Sequence, residues 1–146
     1  MKTGDRPRIV LDTNVIVSGI LFKGHTVRNV LATAVDAWQP VFSDETWDEL
    51  ALVMQRPKFE KHMPIAARLT ALAALARHIE MVTVVSVIDD CRDAKDNKFL
   101  AIAIDAGAAL IVTGDDDLLA LNVFRGVEII NVASFHSRFC GAAVNR

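Results

Sequence analysis

The chain has 146 residues, 52% apolar and 23% charged, with a formal net charge of −2. That composition supports one packed domain and excludes a disordered chain, and no apolar run approaches the ~20 residues of a membrane span. An acidic balance also excludes binding of nucleic acid by whole-surface attraction, leaving open a basic rim around an acidic centre. Cys91 and Cys140 show no CxxC spacing, so neither a zinc site nor a disulfide framework is expected. Met1 to Pro7 lacks the apolar core of a signal peptide, and a cytoplasmic protein is the simplest expectation.

Arg8-Ile9-Val10-Leu11 is a short β-branched run closed by Asp12-Thr13-Asn14, the pattern of a buried strand. A helical region follows, broken at Lys23-Gly24-His25, then resumed with Val27, Val30, Leu31 and Val35 at helical spacing. Gln39 to Phe42 predicts a second strand, and Ser43 caps a helix striped by Trp47, Leu50, Ala51 and Met54. Arg56-Pro57 ends that helix. Pro64 suits the first turn of the next, with Ile65, Leu69, Leu72, Ala76 and Ile79 on one face.

Met81 to Val85 is a continuous apolar run, which predicts a strand covered on both sides. Asp93 to Ala106 predicts a helix with Phe99, Ile102 and Ala103 inward and Gly107 as its stop. Ala109 to Val112 and Val127 to Ile130 supply two more strands, separated by a short helix at Asp117 to Leu121. This βα alternation predicts an α/β fold, a mainly parallel sheet of about five strands with helices on both faces. A single domain is expected over 1–146, with its core at about 8–131 and a C-terminal helical tail.

In such sheets, sites form beyond the carboxyl ends of the strands. Asp12 and Asp115 follow strands directly, and Asp96 lies in the opening turn of the helix that follows the third strand. Glu49 sits on the margin of its helix's apolar stripe, turned further inward than Asp44 and Asp48. Each acid has a structural reading: Asp12 as a helix cap, Glu49 as a solvated side chain, Asp96 in a capping box with Asp93, Asp115 to Asp117 as a polar turn. Together they imply more. One carboxylate pair ~4 Å apart costs roughly 4 kcal/mol at an effective dielectric near 20, and such a cluster calls for raised pKa values or a hard cation.

At these residues the chain resembles the PIN-domain family of metal-dependent ribonucleases, whose members include VapC-like toxins of toxin–antitoxin pairs. Leu11-Asp12-Thr13-Asn14-Val15 matches the family's opening motif. Ser43 to Leu50 followed by Arg56-Pro57-Lys58-Phe59 resembles the acidic helix of one toxin subgroup. Asp90 to Leu100 and Thr113 to Leu119 match the third and fourth motifs, with Ala94 where a proline is often found. The likeness spans Ile9 to about Asn131.

The resemblance implies a three-layer α/β/α fold and an Mg²⁺- or Mn²⁺-dependent endoribonuclease, paired with an antitoxin. It implies that Asp12, Glu49, Asp96 and Asp115 are catalytic metal ligands, with Asp117 as a possible fifth acid. Asn14 and Thr113 would support the site. Arg56, Lys58, Arg92, Lys95 and Lys98 lie near the motifs and could hold RNA phosphates, against the plain alternative of a solvated basic face. A homodimer is expected. Two rival readings are a haloacid-dehalogenase-like phosphotransferase, disfavoured because Asn14 replaces its second Asp, and a non-enzymatic binding module on the same fold.

Overall fold

The computed structural model describes residues 6–22 and 24–140. Met1 to Asp5, Lys23 and Gly141 to Arg146 lie outside the described residues, and with them the opening segment, one residue of the expected helix break and the end of the expected tail. Five strands form one parallel sheet: β1 (Arg8–Leu11), β2 (Gln39–Phe42), β3 (Glu80–Met81), β4 (Leu110–Val112) and β5 (Glu128–Ile130), in the order β3-β2-β1-β4-β5. Ile9 pairs with Leu110, Leu11 with Val112, and Val112 with Ile130, so the tips of the central strands end level.

Strand alternation sorts the core into two layers. Ile9, Leu11, Phe42, Leu110, Val112 and Ile130 face one cluster, shared with α1 (Thr13–Leu21), α2 (His25–Ala37), α3 (Asp44–Met54), α4 (Ile65–Ala76) and α7 (Val132–Phe135). Val10, Val41, Ile111 and Ile129 face the other, against α5 (Asn97–Ala106) and α6 (Asp116–Leu119). The result is a three-layer α/β/α fold. Ser43 caps α3 in a reciprocal capping box with Thr46, and Gly107 closes α5 at φ 64°, the left-handed conformation glycine adopts without penalty. At Gly19 a Cβ would stand 2.9 Å from Leu31 Cδ2 and 3.1 Å from its Cβ, so its lack of a side chain lets α1 lie close on α2.

Three local expectations are corrected. The run Met81 to Val85 is not a strand covered on both sides: β3 stops at Met81, with Val82 N–H giving a further bond to Phe42 O. Beyond it, Asp105 on α5 takes the N–H groups of Val85 and Ser86 and the Ser86 hydroxyl. At the sheet edge only one side can pair, and those backbone donors are drawn to a carboxylate instead; Val85 and Val87 stand exposed. Pro64 precedes α4 as its cap residue, and the helix buries Arg68, Leu72 and Leu75 while Ile65 and Leu69 stay exposed. The inward face is rotated because Arg68 is drawn into the core. Its guanidinium donates to Met54 O, Arg56 O and Met63 O at 2.7–3.0 Å and meets Glu60 at 2.8 Å. Finally, Asp93 and Asp96 form no capping box: Asp93 accepts from Lys95 N–H, and the Asp96 side chain caps nothing.

Candidate metal centre

Asp12 leaves β1 and caps α1. It is almost wholly buried, and both of its oxygens are engaged: Oδ1 accepts from the Asn14 N–H at 3.3 Å and Oδ2 from the Thr113 hydroxyl at 2.6 Å. Thr113, fully buried past β4, also accepts from the Asp115 N–H at 3.0 Å, so one hydroxyl ties the tips of the two central strands together. Asp115 turns its Oδ1 onto the N–H groups of Asp117 and Leu118, capping α6. Short polar residues therefore set both strand ends by local bonds, and those bonds aim the carboxylates.

Asp96 is different. A 3₁₀ turn (Ala94–Asp96) delivers it to the start of α5, and its Oδ2 is buried with no hydrogen-bond partner. Burial, the charges of Asp115, Asp12 and Asp93, and a carboxyl–carboxyl contact with Asp115 push its pKa up to about 6. Burial likewise raises the pKa of Asp12, against the pull of the Thr113 and Asn14 hydrogen bonds, with Asp115 and Glu49 adding to the rise. The charges that Asp12 and Asp96 feel come from the same few acids. Asp12, Asp96, Asp115 and Glu49 therefore converge at the carboxyl ends of the strands.

Glu49 reaches this edge from α3. Its Oε1 accepts from the Thr13 hydroxyl at 3.1 Å and meets the Lys98 ammonium at 3.3 Å. Asp117 stands at the rim, 3.5 Å from Arg92 Nε. Among the described residues, no three carboxylates already stand in metal-holding geometry. The donor set nonetheless fits a hard divalent cation: it is all oxygen, strongly anionic, and includes a buried carboxylate oxygen that nothing satisfies.

The supporting residues differ partly from expectation. Thr113 holds Asp12, but Asn14 contributes its backbone N–H while its side chain is exposed. Lys98 pairs with Glu49 and exposed Arg92 with Asp117, whereas Arg56, Lys58 and Lys95 are exposed and make no ion pair with these acids among the described salt bridges. Two residues escaped the sequence reading. Thr13 holds Glu49 across 36 positions, and Asn97 Oδ1 accepts from Cys91 N–H at 2.8 Å, closing the loop before Asp96. Neither left a sequence signal: Asn97 reaches back six positions, outside the spacing of an Asx turn, and the Thr13–Glu49 pair is made between elements. Cys91 itself is buried, as expected of a small apolar residue.

Residues 8–117 match the family model described as PIN domain, so the chain belongs to the PIN-domain family, whose members are in general nucleases. The uncharacterized protein MJ1680 of Methanocaldococcus jannaschii is 29% identical over 119 residues, covering 78% of this chain and 74% of its own. Two solved structures share the fold. One is VapBC2 from Rickettsia felis, bound to a DNA fragment from its promoter: TM-score 0.57, 15% identity, 85% of this chain and 98% of that one. The other is PAE2754 from Pyrobaculum aerophilum: TM-score 0.60, 14% identity, 93% and 90%. No helix among the described residues is long and apolar enough to cross a membrane.

Proposed function

We propose that this PIN-domain chain is an Mg²⁺- or Mn²⁺-dependent endoribonuclease hydrolysing RNA phosphodiester bonds. The observation that carries the reading is Asp96 Oδ2, buried without a partner against Asp115 with Asp12 beside it. Such an oxygen is costly unless a cation or proton satisfies it. Asp12, Glu49, Asp96 and Asp115 would hold the ion, with Asp117 in reserve at the rim. When bound, a divalent cation offsets charge on the attacked phosphate and makes a water a stronger nucleophile at neutral pH.

The protein's own part is orientation. Thr113 fixes Asp12 and the Asp115 backbone as one unit, and Asn97 closes the loop that presents Asp96. Exposed Arg56, Lys58, Arg92 and Lys95 would hold backbone phosphates on either side of the scissile bond. The likeness to a VapBC complex supports a role as the toxin of a cytoplasmic toxin–antitoxin pair, working as a homodimer with a neutralising antitoxin.

The test is cleavage of a structured RNA by the purified chain. Cleavage should need Mg²⁺ or Mn²⁺, stop with EDTA, and fall at least ~100-fold in Asp12→Asn or Asp96→Asn, which remove a ligand charge from the stabilising ion. Product ends should be 5′-phosphate and 3′-hydroxyl; cyclic phosphate ends would instead mean attack by the 2′-hydroxyl. A second reading, a PIN-fold binding module without catalysis, is favoured by Asp12, both of whose oxygens are already occupied within the protein. RNA binding unaccompanied by cleavage at any metal concentration would select it.

A further inference from the structure

Lys98 stands where a cation is least expected. It is in the first turn of α5, where the helix dipole disfavours positive charge, and its side chain is only 12% exposed. The ammonium is bound by Glu49 Oε1 at 3.3 Å and by the Lys95 carbonyl, and it lies over the Phe99 ring. Two donors, Lys98 and Thr13, thus share Oε1 of one carboxylate, and among the described residues no hydrogen bond reaches Oε2. The inner acids Asp12, Asp96 and Asp115 have no basic partner among the described salt bridges; Glu49 does.

We propose that Lys98 is a built-in competitor for the fourth acid, holding Glu49 in an ion pair that an incoming divalent cation must break. The inference rests on the metal-centre reading above and deepens it. Lys98 is a positioning residue, acting through Glu49. By occupying that carboxylate it lowers the repulsion among the acids while no cation is bound, and it weakens cation binding by the strength of the pair. Release of Glu49 also frees the ammonium beside the cluster, where a substrate phosphate would meet it. Metal loading and phosphate binding are thereby coupled through one side chain.

Calorimetric titration of the full chain with MnCl₂ tests this without reference to activity. Lys98→Gln should bind Mn²⁺ tighter by on the order of fivefold, the worth of one ion pair with a partly exposed partner. Lys98→Arg should stay close to the parent, and in a Glu49→Gln background the gain should vanish. An unchanged or weaker affinity in Lys98→Gln overturns the proposal, as does an equal gain in both backgrounds, which would make Lys98 a remote charge only. Absence of any Mn²⁺ binding by the parent chain would instead overturn the metal-centre reading itself. Should Lys98→Gln not fold, ¹⁵N spectra of the lysine ammonium groups in the parent chain decide: a Lys98 signal shifted by Mg²⁺ supports release, and an unmoved one refutes it.

Discussion

Arg68 and the acid edge bury charge by opposite rules. At Arg68 one guanidinium, 1% exposed, is met by three backbone carbonyls and the Glu60 carboxylate. Each of its three nitrogens ends on at least one acceptor, four bonds from five N–H groups, so the node is satisfied from within the chain. At the tips of β1 and β4, acids face acids, and one buried carboxylate oxygen meets no hydrogen-bond donor. Satisfaction from within marks a structural charge; unsatisfied burial marks a place that asks for something from outside.

Removing the satisfied charge should do the most damage. Arg68→Met takes the guanidinium from Met54 O and Met63 O, and from Arg56 O, which keeps the Phe59 N–H, and should destabilise the chain by about 3 kcal/mol, read from urea unfolding. A variant within 1 kcal/mol of the parent would show that those carbonyls find water and that the node is dispensable. Supplying the missing cation should act in the other direction. Mg²⁺ or Mn²⁺ at a hundred times its dissociation constant should stabilise the folded chain by about 2.7 kcal/mol, visible as a rise in Tm, and Asp12→Asn should blunt it.

Smaller effects come from relieving repulsion without any metal. Asp96→Asn should stabilise the metal-free chain by about 1 kcal/mol after allowance for solvent screening, although it removes a proposed ligand. The same logic fixes a pH dependence. The folded pKa of Asp96, about 6, lies above its unfolded value near 4, so between those values the unfolded chain holds fewer protons. Its contribution to stability must therefore fall as pH rises from ~4 to ~6 and remain low above. Melting curves of the metal-free chain across that window should show a decline that Asp96→Asn reduces. A parent whose stability rises through the window with no difference from the variant would place Asp96 in contact with solvent.

The unlike character of these two places explains what could be read in advance. Strands β1, β2, β4 and β5 and the caps at Ser43 and Gly107 are local matters of β-branched runs and turn chemistry, and the sequence carries them openly. The positions of Asp12 and Asp115 follow from the same logic, because strand tips are visible in the chain. Arg68 was invisible: a lone arginine in an apolar stripe reads as a solvated residue, and its acceptors are carbonyls that no residue type advertises. The edge run after Met81 misled for a related reason. Its composition suits a buried strand, but Asp105, twenty positions from Val85, takes backbone donors a neighbouring strand would have used. Bonds between side chains and distant backbone leave no periodic trace.

Gly19 gives the acid edge a mechanical dependence on a residue that carries no chemistry. It lies seven residues along from Asp12, about 10 Å down the helix axis. A methyl group there would press on the Cδ2 and Cβ of Leu31 in α2. Bonds from Asn14 and Thr113 aim the first carboxylate, and the rod that carries it keeps its close seat on α2 through a bare Cα at its far end.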